Sequence, residues 1–294
     1  MVLERTSPCK INLILNILSR RGDGFHELET VMHPVPLCDH LAFEKVNQSE
    51  IQLTCNHPLL PCDQQNLVWR AADLFFRTAA LQPCVRIHLH KTVPLAAGLG
   101  GGSSNAAHTL IGLNDLFGLP LSADLLRKLA ESLGSDVPFF LESGPALATG
   151  RGEQVTRIAP LPALKGAFVF MVHPGFGVPT AWAYRTLSEF PEALQGRRGR
   201  AQTLLEKLRK DSLEAASSEF YNSLEIPVLR KYPLLDIFLR FFKEEGAIVS
   251  LMSGSGSTTF AMTDSQSSAE TLRNRFHSKF GNNYWTQSVK LVDS

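Results

Sequence analysis

Residues 94–107 read PLAAGLGGGSSNAA, and this stretch decides how the chain is read. Between positions 98 and 102 only Leu99 interrupts Gly98, Gly100, Gly101 and Gly102, so side chains are missing where a backbone must approach something closely. Ser103, Ser104 and Asn105 follow where a helix begins, adding polar groups to free amide donors and to the positive end of a helix dipole. A turn of this kind holds an anion, and the phosphates of a nucleotide are the leading candidate. A flexible linker is the plainer reading, and the flanks oppose it. Residues 85–93 alternate Val85, Ile87 and Leu89 with Arg86, His88 and His90, the period of a half-buried strand. Ala106, Ala107, Leu110, Ile111, Leu113 and Leu116 recur at helical spacing before Gly118-Leu119-Pro120, which predicts a helix over 103–116.

The loop fits none of the common nucleotide signatures. A Walker A motif needs Lys before the hydroxyl residue. The dinucleotide fingerprint lacks its second half and its acidic partner, and the HRD and DFG landmarks of protein kinases are absent. A dehydrogenase reading therefore fails, and without a GxSxG elbow a hydrolase triad has no support.

The chain has 294 residues, 44% apolar and 19% charged, with a net charge of +1. That balance argues against a general binder of nucleic acid or membrane surfaces. No apolar run reaches a membrane span, and the N-terminus lacks the layout of a signal peptide. Cys9, Cys38, Cys55, Cys62 and Cys84 are an odd set without CxxC spacing, so free thiols in a cytoplasmic protein are expected.

Strands are predicted over 6–18, 41–54, 85–93, 166–173, 246–252, 258–263 and 284–292. Helices are predicted over 66–80, 103–116, 122–133, 180–188, 201–219, 232–245 and 266–280. Ser122 should cap the third helix and Gly134 end it, and 146–158 reads as a hairpin turning at Gly150-Arg151-Gly152. Strands and helices mix throughout, as in an α+β or α/β protein, with a boundary near 160–165.

Three further motifs stay ambiguous on residue grounds. In SPCKINLILNI (7–17) Lys10 and Asn12 share the strand face opposite Ile11, Leu13 and Leu15. A lysine there is ordinarily solvated, but beside an anion loop it would stabilise phosphate or a developing alkoxide. In LGSDVPFFL (133–141) Asp136 is a helix cap or a site residue, as general base or magnesium ligand. LMSGSGSTTFA (251–261), with Gly254 and Gly256, is a plain hairpin or a second backbone cradle. His88 and His90 share a strand face, but two ligands make no zinc site. GRRGR (196–200) reads as a solvated basic loop.

Taken in order, SPxKINL, RRGDGFHELET, PxAAGLGGGSSNAA, LGSDVPFF and GSGST resemble the GHMP kinase superfamily along nearly the whole chain. The resemblance implies an α+β chain of two domains, a ribosomal-protein-S5-like one at 1–162 and a ferredoxin-like one at 163–294. It implies ATP and Mg2+, with phosphates over Leu95, Ala96, Ala97, Gly98, Leu99, Gly100, Gly101, Gly102, Ser103, Ser104 and Asn105 after Pro94, and the base near Asn66 and Lys91. Asp136 would take the proton of the acceptor hydroxyl and Lys10 would stabilise its oxygen. The GFH segment and the triple-glycine loop point to one branch, whose acceptor is the 2-hydroxyl of the methylerythritol part of a cytidine-diphosphate conjugate. Asn12, Thr180 and Gly254 would contact that substrate, His26 the cytosine edge, and Phe25 and Tyr184 the faces of the ring. Phe25 stands where a Tyr is common, and Asn105 where an Asp is also seen, so the magnesium ligands are left unassigned. The implied protein is a cytoplasmic small-molecule kinase, a monomer or weak homodimer, without nucleic-acid or membrane partners. A kinase for another alcohol and a catalytically silent regulator are the competing readings.

Overall fold

The computed structural model describes residues 2–142, 144–194 and 196–291. In chain order it contains β1 (Val2–Arg20), β2 (His26–Lys45), β3 (Ile51–Cys55), α1 (Leu67–Ala79), β4 (Val85–His90), α2 (Gly101–Leu116) and α3 (Ala123–Leu133). There follow β5 (Ala146–Gly150), β6 (Gln154–Arg157), β7 (Phe168–His173), α4 (Thr180–Thr186), α5 (Arg200–Lys210), α6 (Leu213–Ala216), β8 (Tyr221–Asn222) and α7 (Glu225–Lys231). The chain ends with α8 (Pro233–Glu244), β9 (Val249–Met252), β10 (Thr259–Thr263), α9 (Gln266–Phe280) and β11 (Trp285–Lys290). The class is α+β, and none of the described helices is long and apolar enough to cross a membrane.

The chain divides into two compact units, each assembled from separate stretches. The first takes the described residues of 1–9, 37–94 and 100–143, the second those of 10–36, 95–99 and 144–294. In the first unit β3 pairs in parallel with β4, and β4 pairs antiparallel with residues 40–45 of β2. The strict alternation of β4 buries Val85, Ile87 and Leu89 and exposes Arg86, His88 and His90. α1 packs on α2 and α3 through Val68, Ala71, Ala72, Phe75 and Phe76. Gly112 of α2 is needed for its size: a Cβ there would stand 2.6 Å from the ring of Phe43.

In the second unit residues 28–32 of β2 pair with β5, which turns through Gly150-Arg151-Gly152 into β6 as expected. A separate antiparallel sheet has the order β11-β7-β10-β9. With helices between β7 and β9 and between β10 and β11, that is the strand order of the ferredoxin-like arrangement. α8 and α9 cover this sheet, and Phe170, Phe238, Phe241, Phe242 and Phe276 interlock as edge-to-face and tilted rings.

Several expected boundaries are corrected. The strand expected at 41–54 is two: β2 ends at Lys45 and β3 begins at Ile51. β2 also runs back to His26, although Pro34 and Pro36 argue against a strand in isolation. The helix expected at 201–219 breaks at Asp211, and Ser212 caps α6 by accepting from the amide of Ala215. The helix expected at 232–245 starts at Pro233, a residue suited to a first turn, and α7 precedes it. The loop helix begins at Gly101 rather than Ser103, and β4 stops at His90. Ser122 and Gly134 bound α3 as expected. Of the strand expected at 284–292, Val292 lies outside the described residues.

Candidate active site

In the second unit Lys10 is buried, only 3% exposed, because β1 is covered on both faces from Cys9 to Ile17. The solvated lysine that alternation suggests is therefore corrected to a fixed one. Its Nζ donates to Asn12 Oδ1 at 2.6 Å and to the carbonyl of Gly98 at 2.9 Å. Asn12 Nδ2 donates to Thr30 Oγ1 at 2.9 Å, and Thr30 Oγ1 donates to the carbonyl of Ile14 at 2.6 Å. The chain of donors orients Asn12 so that its oxygen faces the ammonium.

The same unit packs residues 95–99 against the turn between β9 and β10. The amide of Thr258 donates to Ala97 O at 3.1 Å, and Ser253 Oγ donates to Gly98 O at 3.0 Å. A Cβ on Gly98, whose φ is +78°, would stand 2.1 Å from the carbonyl oxygen of Ser253. A Cβ on Gly254 would meet Gly98 O at 3.0 Å, Lys10 Nζ at 3.3 Å and Asn12 Oδ1 at 3.4 Å. The GSGST segment is thus both a connection between antiparallel strands and a backbone surface beside Lys10. Two residues that no sequence pattern singled out hold it. Asn222 Nδ2 donates to Met252 O and Gly254 O, both at 2.8 Å, and Glu225 Oε1 accepts from the amide of Met252 at 2.7 Å. Burial, helped by the nearby charge of Asp236, pushes the Glu225 carboxyl up to about 7 against the opposing Met252 bond. Thr180 Oγ1 lies 2.9 Å from Ser255 Oγ in this turn.

His26 and Tyr184 also meet in the second unit, with ring centroids 5.5 Å apart and planes at 41°. Burial, with a smaller effect of the Arg20 charge, lowers the pKa of His26 and favours its neutral form. Phe25 is half exposed, and the guanidinium of Arg151 lies 4.6 Å from its ring centroid. GRRGR is more anchored than a solvated loop: Asn16 Nδ2 donates to Arg197 O at 2.8 Å, and Arg197 pairs with Glu219 at 2.8 Å.

In the first unit Gly100 caps α2 with φ +69° and no side-chain hydrogen bond. The amides at the start of α2 lack intrahelical acceptors, Gly102 is exposed and Ser103 half-buried. Ser104 and Asn105 point elsewhere. Ser7 Oγ donates to Ser104 Oγ at 2.7 Å, and Asn105 Nδ2 donates to Ser7 Oγ and Asp39 Oδ2, each at 2.9 Å. Lys91 Nζ is ion-paired with Asp39 and donates to Asn105 Oδ1 at 3.1 Å. Asp39, fully buried, also accepts from the amides of Thr92 and Val93 at 2.7 and 2.9 Å. Asp39 is a third residue that sequence reasoning missed, since nothing local ties it to a lysine so far along the chain. Asn66 caps α1, accepting from Val68 N at 2.9 Å and donating to Pro61 O at 2.7 Å. Asp136 is half-buried in the turn between α3 and the short helix at Pro138–Leu141. Pro94 and Leu95 are half-buried, and Ala96 takes a positive φ of 50°.

The first unit thus holds helix-start amides and the half-buried Asp136 carboxylate, and the second a buried, hydrogen-bonded ammonium. Comparison with known proteins identifies the family. Residues 66–144 match the GHMP kinases N terminal domain and 201–283 the GHMP kinases C terminal domain. The chain is 40% identical over 277 residues to 4-diphosphocytidyl-2-C-methyl-D-erythritol kinase of Acaryochloris marina, covering 90% of this chain and 88% of the relative. It is 38% identical to the protein of that name from Pelotomaculum thermopropionicum, covering 94% of each. A crystal structure of 4-(cytidine 5'-diphospho)-2C-methyl-D-erythritol kinase superposes with a TM-score of 0.81 at 34% identity, covering 98% of this chain and 99% of the other. The chain belongs to the GHMP kinase family, in the group of the 4-diphosphocytidyl-2-C-methyl-D-erythritol kinases.

Proposed function

We propose that the protein transfers the γ-phosphoryl group of ATP to the 2-hydroxyl of 4-diphosphocytidyl-2-C-methyl-D-erythritol, in non-mevalonate isoprenoid precursor synthesis. The observation that carries this reading is the fixed Lys10 ammonium, seated by Asn12 and Gly98 O at the foot of the glycine-rich stretch. The acceptor oxygen forms a bond to the γ-phosphorus as the bond to the ADP oxygen breaks, and the hydroxyl proton passes to Asp136. Lys10 stabilises the oxygen while negative charge develops on it.

The amides from Gly100 to Ser103 receive phosphate oxygens, supported by their position at the start of α2. Side-chain polar atoms of Asn66 and Lys91 make bonds within their own unit, so their share in a base site falls to backbone and aliphatic atoms. Magnesium fits a site with one carboxylate and a hydroxyl, because the ion keeps most of its waters and shares phosphate oxygens. Asp136 and Ser103 are the donors that would hold it, and the ion would neutralise phosphate charge. His26 with Tyr184, and Phe25 beside Arg151, bind the cytosine, while Asn12, Thr180 and Gly254 line the sugar-alcohol end. A domain boundary at 162/163 falls between the two matched stretches, which supports it. Five free cysteines support a cytoplasmic setting, and we propose a monomer or weak homodimer.

The test is an acceptor panel. With ATP and magnesium, ADP release should require the cytidine-diphosphate conjugate and be absent with mevalonate, homoserine or galactose. Turnover with one of those three instead would replace the acceptor, and ATP binding without turnover on any would favour a silent regulator.

A further inference from the structure

The His88-x-His90 pair finds neighbours that its sequence spacing does not show. In the first unit a cavity of about 700 Å³ is lined by Arg5, His40, His88, His90 and His108. His40 is the register partner of His90 across β2 and β4, and His88 lies one pleat further along the same face. Arg5 comes from β1 and His108 from α2, so three strands and a helix deliver basic nitrogens to one hollow. Its lining includes one carboxylate, the exposed Glu4.

Two nitrogens behind this lining are costly as they stand: Arg5 Nε and His108 Nδ1 are buried without a hydrogen-bond partner among the described residues. A guanidinium Nε–H is a donor at every accessible pH, and leaving such a group unsatisfied costs more than an average hydrogen bond returns. The other end of Arg5 is paired with Asp115, which orients the guanidinium. No group of three or more His, Cys, Asp or Glu among the described residues is arranged to hold a metal ion, and His88 Nδ1 is engaged with Thr54 Oγ1 at 2.9 Å. The donors present suit an acceptor with several oxygens.

We propose that this cavity is a second ligand site, for a phosphate-class anion such as pyrophosphate or the polyphosphate of a nucleotide. None of its lining residues belongs to the machinery assigned above. Charge-assisted bonds from Arg5 and the imidazoles hold the anion. Burial, with the Arg5 charge, pushes the His108 imidazole down to about 4, and an anion bound beside it would oppose that shift.

The experiment titrates inorganic pyrophosphate into the full-length protein while histidine ring signals are followed by NMR, assigned with single His→Gln variants. Saturable movement of the His40, His88, His90 and His108 signals is expected, with the lowered pKa of His108 rising. Affinity should fall at least tenfold in His88→Gln/His90→Gln, whose exposed positions spare the fold, and also in Arg5→Gln. Kinase turnover in the histidine double variant should match the wild type, which separates this site from the proposed active site. Four unmoved histidine signals would overturn the proposal. So would unchanged affinity in both variants, or tight zinc binding that pyrophosphate does not compete with.

Discussion

Two lysines are buried among the described residues, and their surroundings differ. Lys91, in the first unit, is paired with the fully buried Asp39 carboxylate and bonded to Asn105. Lys10, in the second unit, gives hydrogen bonds to an amide oxygen and a backbone carbonyl, both neutral. An ammonium neutralised by its own carboxylate, itself held by two backbone amides, fixes chain segments to one another. The Lys10 ammonium is held in place by the neutral oxygens of Asn12 and Gly98 among its contacts. Lys91 thus supports the start of the glycine-rich helix, whereas under the proposed function Lys10 would act on the reacting oxygen.

Breaking the Lys91 pair should have the largest effect. Lys91→Met leaves Asp39 charged and buried, and unfolding should cost less by about 3–5 kcal/mol, read by urea denaturation. Lys91→Met with Asp39→Asn should recover much of the loss. Equal stability of Lys91→Met and wild type would remove the distinction between the lysines. Lys10→Met should instead lower kcat by about 10²–10³-fold with a much smaller change in stability. A loss of stability matching that of Lys91→Met would make Lys10 structural too.

The contrast was only half legible in the sequence. SPCKINLILNI shows Lys10 on a strand but not that both faces of β1 are covered, since that depends on chain segments far away. Asp39 stands in PLCDHLAF without a motif, and its partner Lys91 is found only once β2 and β4 pair. The glycine-rich loop and α3 with its caps were readable because their signals are local. The strand from His26 to Lys45 was not, because Pro34 and Pro36 mask pairing that tertiary context supplies. Asn222 and Glu225 belong to the same class as Asp39: their roles depend on the β9–β10 turn lying beside them.

Glu225 sharpens the comparison by giving the second unit its own titratable anchor. Its carboxyl sits near 7 when folded and near 4.5 when unfolded. The folded state then binds the proton more tightly, so this contribution is full below the unfolded pKa and is lost as pH rises through about 7. The loss amounts to roughly 3 kcal/mol. Glu225→Gln should flatten the fall in stability between pH 4.5 and pH 7, measured by thermal unfolding across that range. An unchanged pH profile would remove Glu225 as its source.

The smallest effect is expected at the aromatic end. Tyr184→Ala with Phe25→Ala should raise the KM for the cytidine conjugate, by about 1–3 kcal/mol for its one stacked base at most, and leave ATP affinity nearly unchanged. An unchanged KM would exclude both rings from the base site.

The most direct test of the proposed chemistry compares wild type with Asp136→Ala. Both would be given ATP, magnesium and 4-diphosphocytidyl-2-C-methyl-D-erythritol, with ADP and phosphorylated product measured together and ATP binding measured separately. The account predicts stoichiometric ADP and 2-phosphorylated product from the wild type, and turnover lower by about 10²–10⁴-fold in the variant with ATP binding retained. Turnover by Asp136→Ala at the wild-type rate would contradict it.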